Sequence, residues 1–381
     1  MKKLLITTDC FLPRIDGVSR FLQQVVPVLA KKYDISIIAP RFEGQLNTKG
    51  MGIKKLVRFP TYNFLLGDIK VAKIKRSVIK KEIMKNDVIW SHTLGPIGLT
   101  SIVQGHKYDK FVVSYIHSIE FELFAKALSN SLLEHLIGFT TQKLIKYAYS
   151  KCDLLMVPSL EVAEILTWKN ISTPKKVVQL GVDINTFKPV TLGKKRALRK
   201  EYGIAEGDIV ILYVGRLARE KGLRTLLKAF LMLERNFTNV KLIIVGDGRE
   251  DIKNKFANRK NVILMGVQKE VEKFYQLSDI YVLPSLTETT SLTTLEAMAC
   301  ELAVVVTPVG LIKYYVTNNK NGLVFPKDDY LRLYKNLTKL VTDSTLRARL
   351  GYQARLTVKK EYSWSITLKK IDEIFARLTD D

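Results

Sequence analysis

Residues 279–300, DIYVLPSLTETTSLTTLEAMAC, decide how this chain folds. Asp279 to Leu283 is a short run of buried-strand residues, and from Leu292 the Leu/Ala/Met pattern becomes that of a helix with a small, closely packing face. The Thr- and Ser-rich loop between them makes a strand-to-helix junction, with Glu288 in the loop and Glu296 in the helix. Thr290 or Ser291 is placed to cap the helix, leaving the amides of Leu292, Thr293 and Thr294 to face an anion. Glu296 follows about one turn later, where a carboxylate can accept two hydrogen bonds from vicinal hydroxyls, as a ribose offers. The same residues fit a second reading, because Thr293-x-x-Glu296 also matches a capping box, which needs no ligand.

Outward from this junction, strand and helix alternate in both directions. Ile209 to Val214, Lys241 to Val245 and Val262 to Met265 read as buried strands before it, and Ala303 to Thr307 as one after it; Trp364 to Leu378 reads as an amphipathic helix. Ile209 to Val214 runs into GRLAREKG, residues 215–222, where Arg216 and Lys221 bracket a loop. Two cations there could neutralise a diphosphate, the Arg as a fork and the Lys as a point charge; a solvated charged loop is the alternative. The N-terminal half repeats the pattern: a strand over residues 3–8, a loop containing Phe11 to Gly17, and a helix from Ser19 to about Lys31. Strand, glycine-bearing loop and helix open a doubly wound α/β domain. Gly17 either lets the backbone approach an anion or simply serves an Asp-Gly turn. Ile35 to Ala39, Val88 to Ser91, Phe111 to Ile116 and Leu154 to Val157 read as further strands. His92 and His117 follow two of them, on the edge where open parallel sheets bind ligands; a purely structural histidine is the alternative. Glu120 to Tyr149 is amphipathic and helical, its apolar face being either core or a groove for a lipid tail. Pro189, Gly193 and the run Lys194-Lys195-Arg196 break the periodicity, so residues 184–208 read as a linker. The expected domains are 1–184, 185–363 and a C-terminal helix over 364–381 that could return to the first domain.

The chain has 381 residues, 47% hydrophobic and 26% charged, which is a soluble globular composition with room for two domains. The apolar run of MKKLLITTD is too short for a signal peptide, and no run approaches a membrane span. Cys10, Cys152 and Cys300 show no C-x-x-C spacing, which argues against disulfides and zinc and for a reducing, cytoplasmic setting. The outlier is a net charge of +24. Between Lys49 and Lys85 stand eleven basic residues against Asp68 and Glu82, beside Phe59, Tyr62, Phe64, Leu65 and Leu66. Lysines that attract anionic headgroups next to rings that enter the interface suit a peripheral membrane surface; a solvated lysine-rich helix beside core apolar residues is the bland alternative.

Gly215-Arg216, Lys221-Gly222, Gly246-Asp247-Gly248 and the paired Glu288 and Glu296, in this order, resemble the family-four retaining glycosyltransferases of the GT-B fold. The resemblance spans nearly the whole chain and implies α/β architecture, with two Rossmann-like doubly wound domains facing a central cleft. It implies transfer of a hexose from a nucleotide diphosphate sugar, UDP- or GDP-linked, held mainly by the second domain, to an acceptor held mainly by the first. By that resemblance Arg216 and Lys221 bind the diphosphate and stabilise the leaving group. Glu296 holds the ribose, Glu288 contacts the transferred sugar, and the backbone of Leu292 and Thr293 meets the phosphates with Gly246 nearby. Gly17 closes over them and His117 lies beside the sugar. Such families generally need no metal and no further cofactor, since cations and a helix N-terminus stabilise the charge. Retention is implied to proceed by same-face attack, with the leaving phosphate oxygen accepting the acceptor's proton.

Family members usually have Phe-Gly where this chain has Thr290-Ser291, glycine at Glu301, and Gly-Gly then Pro-Glu where it has Gly310-Leu311 and Lys313-Tyr314. Glu288 to Thr293, ETTSLT, is similar to the variant of glycosyltransferases acting on diacylglycerol and related lipids, as are FLPRIDGV, residues 11–18, and His117. With the basic region over 49–85, this favours a membrane lipid as acceptor. A soluble glycan or polyol acceptor is the alternative within the same chemistry. A basic nucleic-acid-binding protein is the alternative of another class, though no nucleic-acid motif accompanies the charge.

Overall fold

The structure, a computed structural model, describes residues 1–14, 16–66, 69–117 and 142–377. The helical stretch expected over 120–149 lies outside these as far as residue 141; residues 142–149 are helical. The chain forms two units, residues 1–179 with 367–381, and residues 180–366.

The first unit is built on a seven-stranded parallel sheet. Its strands are β1 (Lys3–Thr7), β2 (Asp34–Pro40), β3 (Ile53–Phe59), β6 (Val88–Ser91), β7 (Phe111–Tyr115), β8 (Leu154–Val157) and β9 (Lys175–Val177), in the order β3-β2-β1-β6-β7-β8-β9. A separate antiparallel hairpin, β4 (Thr61–Leu66) with β5 (Ile69–Ala72), sits between β3 and the helix Arg76–Ile83. The basic, aromatic-bearing region over 49–85 is therefore an edge strand and a hairpin followed by a helix. The helix Trp364–Arg377 lays Phe375 on Trp90 and Tyr33 at ring-centroid distances of 5.0 and 6.0 Å, and its Asp372 pairs with Lys32 at 2.7 Å.

The second unit has six parallel strands: β10 (Ile209–Val214), β11 (Val240–Val245), β12 (Val262–Gly266), β13 (Ile280–Leu283), β14 (Ala303–Val306) and β15 (Leu323–Val324). Their order is β12-β11-β10-β13-β14-β15. IVILYV and AVVV are buried on both faces, as parallel strands covered by helices must be, which explains why they are continuous apolar runs rather than alternating ones. The segment read as a linker over 184–208 is corrected. It carries a helix, Leu192–Glu201, whose Lys195 and Arg199 both reach Asp279 at the start of β13, at 2.7 and 2.6 Å. These basic residues are counter-charges to a largely buried carboxylate, not solvated linker residues.

In each sheet the strand order reverses at one point, between β1 and β6 in the first unit and between β10 and β13 in the second. Loops leaving the carboxyl ends of strands diverge there and leave a crevice, the usual ligand position in this architecture. Among the described residues no helix is long and apolar enough to cross a membrane.

Candidate functional site

In the second unit the two loops beside the reversal are Gly215–Gly222, after β10, and Pro284–Ser291, after β13. They are tied together by backbone contacts: Leu286 N donates to Glu220 O at 2.8 Å. Gly222 adopts φ 61°, and a Cβ there would stand 2.0 Å from Pro284 O, so only glycine permits this approach. The result puts Lys221 Nζ 2.6 Å from Glu288 Oε1, which also accepts from Ser285 Oγ at 2.7 Å. Both charged side chains are mostly buried, at 17% and 11% exposure. Arg216 is on the more open side of the loop, paired with Glu220 at 3.0 Å. Its carbonyl accepts from the buried Tyr213 hydroxyl, which holds the turn against the end of β10.

The helix Leu292–Ala299 begins beside this ion pair. Leu292 and Thr293 are its first two residues, so their amides have no intrahelical acceptor. Ser291 occupies the cap position, yet its Oγ meets Thr294 Oγ1 at 2.8 Å and makes no side-chain bond to a backbone amide. The expected Ser or Thr cap is thus corrected. The capping-box reading also falls away, because Thr293 lies inside the helix and its hydroxyl accepts from Tyr281 at 2.8 Å. Glu296 is buried, with Oε2 accepting from the Tyr275 hydroxyl at 2.7 Å. Burial, and then the Glu296 charge, push the Tyr275 hydroxyl well above its ordinary pKa and keep it a donor. Sequence reasoning missed Ser285, Tyr275 and Tyr281, whose roles depend on which strands and helices are neighbours.

Gly246 lies at the end of β11 with φ 132°, and a Cβ on it would stand 2.0 Å from Gly215 O. That contact accounts for glycine at 246 independently of any ligand. Gly310, φ 55°, is held against the backbone of Glu288, whose carbonyl oxygen would be 2.2 Å from an added Cβ.

Ser291 has φ 56° and ψ 76°, and Glu301 has φ 64°, so the backbone is left-handed at two non-glycine positions, both of them places where the family resemblance implies glycine. A left-handed non-glycine residue costs about 1–2 kcal/mol. Ser291→Gly should therefore raise stability by up to about 1 kcal/mol, and Ser291→Val should lower it by more than that. Urea midpoints for these two and Ser291→Ala separate backbone strain from the hydroxyl; equal losses in all three would assign the effect to Oγ instead.

Gly17 and His117 belong to the first unit. Gly17 opens the helix Gly17–Leu29, behind a capping box between Asp16 and Ser19, with nothing within 4 Å of where its Cβ would be. Phe21 of that helix packs edge-on against His117 at 5.0 Å. His92 Nδ1 and His117 Nε2 are 3.0 Å apart. The helix N-terminus at this unit's own reversal point is already occupied. Asp9 accepts from the amides of Ile97 and Gly98 at 3.0 and 3.1 Å and from Thr93 Oγ1 at 2.7 Å. Burial raises the Asp9 carboxyl above its ordinary value against the pull of these donors. An internal carboxylate thus fills in this unit the position that a phosphate could take in the other. Among the described residues, no group of three or more His, Cys, Asp or Glu is placed to hold a metal ion.

Residues 15–186 match the family described as Glycosyltransferase Family 4, and residues 194–357 match Glycosyl transferases group 1. An alpha-monoglucosyldiacylglycerol synthase of Acholeplasma laidlawii is 25% identical, the alignment covering 98% of this chain and 97% of that protein. A synthase of the same name from Streptococcus pneumoniae is 23% identical over 77% of this chain and 68% of its own. Among solved structures, Anabaena Alr3699/HepE in complex with UDP has a TM-score of 0.80 at 16% identity, covering 98% of this chain and 100% of that one. WaaG, a glycosyltransferase involved in lipopolysaccharide biosynthesis, gives 0.75 at 17%, covering 97% and 99%.

Proposed function

Because the chain belongs to the glycosyltransferases of the GT-B fold, with a family-four half followed by a group-one half, we propose that it moves a hexose, with retention, from a nucleotide diphosphate sugar to a membrane lipid such as diacylglycerol. The observation that carries the donor side is the 2.6 Å Lys221–Glu288 pair at the sheet reversal, beside the first amides of the helix Leu292–Ala299. A diphosphate there meets a fixed ammonium and a helix N-terminus, with Arg216 able to reach it from the more exposed side. Glu296, one turn deeper, accepts the ribose hydroxyls, and Glu288 orients the hexose. As the glycosidic bond to phosphate breaks, charge accumulates on the leaving diphosphate; Lys221 and the amides stabilise it. The departing phosphate oxygen then accepts the proton of the attacking hydroxyl on the same face. UDP-sugars are the first donors to test, given the UDP bound to a protein of the same fold.

The lipid acceptor is supported by the two relatives that carry the name alpha-monoglucosyldiacylglycerol synthase and by the basic surface of the first unit. Lys73, Lys75, Arg76, Lys80 and Lys81 are all exposed, while Ile79, Glu82 and Ile83 of the same helix are buried, so the acid of this helix is turned inward. Glu82 is moreover paired with Lys55 at 2.7 Å. Phe59 is core, whereas Tyr62 is exposed, with Lys73 Nζ 5.0 Å from its ring centre.

The test supplies labelled sugar nucleotides one at a time to the full chain with vesicles of anionic lipid and diacylglycerol. A glycosylated lipid with the donor's anomeric configuration is expected. Sedimentation with the vesicles should weaken with salt, and again on neutralising those five basic residues, at about 1 kcal/mol each near an anionic surface. Equal transfer to soluble glycans or polyols without vesicles would replace the lipid acceptor by a soluble one. Hydrolysis or no transfer with every donor would overturn the reading.

A further inference from the structure

His92 is almost wholly buried, and its ring is enclosed by Trp90, Phe21 and Tyr115 at centroid distances of 4.2, 5.6 and 6.1 Å. Its backbone amide is fixed on Thr7 O at 2.9 Å, so the residue is tied to β1 and to the end of β6. Among the described residues the one polar contact its ring makes is Nδ1 with His117 Nε2, at 3.0 Å, and His92 Nε2 is buried without a hydrogen-bond partner. Desolvation holds both imidazoles neutral: it lowers His92 far below its ordinary value, with His117 adding to the effect, and brings His117 down to about 3. A neutral pair shares a single proton across this contact.

Two arrangements are available. If His117 donated, His92 would carry its own proton on Nε2, an N–H buried among aromatic rings with no acceptor. If His92 donates from Nδ1, Nε2 is left as a bare lone pair. A buried orphaned N–H is the rarer and costlier defect, whereas an under-used acceptor is tolerated. From this contact and the orphaned nitrogen we infer that His92 is a positioning residue. It donates through Nδ1, fixes His117 in the Nδ1–H tautomer, and makes the outer nitrogen of His117 a neutral hydrogen-bond donor. Among the described residues His117 Nδ1 has no hydrogen-bond partner. A donor held this way suits a sugar hydroxyl or an oxygen gaining charge. It is unsuited to taking a proton from the acceptor, because the basic nitrogen of His117 is engaged by His92.

The inference rests on the reading that His117 touches the transferred sugar, and the experiment separates the two. The chain has only four histidines, so imidazole nitrogens in the full chain labelled with [15N]histidine can be assigned individually. The expected spectrum has His92 and His117 both protonated on Nδ1. A His117 protonated on Nε2 would overturn the proposal, whatever the activity. In transfer assays His92→Phe is expected to lower kcat by about tenfold with KM for the donor little changed, as when the outer partner of a functional histidine is removed. His92→Asn, which keeps a donor near the Nδ1 position, retains most of the rate and the His117 tautomer. His92→Phe with unchanged kcat beside a slow His117→Ala would also overturn the positioning role. His117→Ala with unchanged kcat would instead remove the sugar contact, and the spectrum would still decide the tautomer.

Discussion

Lys221→Met is expected to lower kcat for sugar transfer by about 10²–10³-fold, the loss typical of removing one preorganised group from developing charge. The loss exceeds that of a positive charge alone, because Lys221 neutralises Glu288 at 2.6 Å and both lie mostly out of solvent. Without the ammonium, Glu288 becomes an uncompensated carboxylate beside an incoming diphosphate, so donor KM should rise as well. Glu288→Gln keeps a group able to accept from Ser285 and should cost less, about tenfold, through the sugar contact. The two changes share one ion pair and should not add. The double variant is expected to recover part of the Lys221→Met loss, since the repulsive carboxylate is gone. Steady-state kcat and KM for the four proteins decide this. A Lys221→Met enzyme as fast as the parent would remove the diphosphate from this position, and strict additivity would mean the pair is not acting as a unit.

What could be read from the sequence follows the physics of each element. Ile209–Val214 and Ile280–Leu283 are buried on both faces, so their apolar runs announce them. IKKLVRF, Ile53–Phe59, stands at a sheet edge with two lysines exposed, and charge on edge strands is what disguises them. That Lys221 and Glu288 stand in loops that follow strands was legible from the sequence. Their contact was not, because it depends on β10 and β13 being neighbours while the residues are 67 positions apart. Tyr275 beneath Glu296 and Ser285 beside Glu288 have no local signal at all. Ser291 marks the opposite limit: its difference from the glycine that the family resemblance implies is visible in the sequence, but only the backbone shows that the residue is left-handed.

The misread linker carries the largest stability effect. Asp279 accepts from Lys195 and Arg199 at 2.7 and 2.6 Å and from Val210 N at 2.8 Å, while Arg199 also donates to the carbonyls of Leu277 and Asp208. Asp279→Ala leaves two largely buried cations without a counter-charge, and a loss of about 3–5 kcal/mol is expected for the second unit. Burial by itself would raise the Asp279 pKa, but the charges of Lys195 and Arg199 outweigh it and hold the carboxyl below its ordinary value. A carboxyl with a depressed folded-state pKa contributes stability that is complete above its unfolded value, about 3.9, and that fades as pH falls through the folded one. The gap in urea midpoint between parent and Asp279→Asn should accordingly be constant near neutrality and narrow at acid pH. Because the chain has two units, unfolding is best followed by hydrogen exchange in β10 and β13 rather than by one global signal. Unchanged protection in Asp279→Ala would return the helix Leu192–Glu201 to the status of a loosely attached connector; protection lost only within that helix would mean that Asp279 anchors it without supporting the sheet.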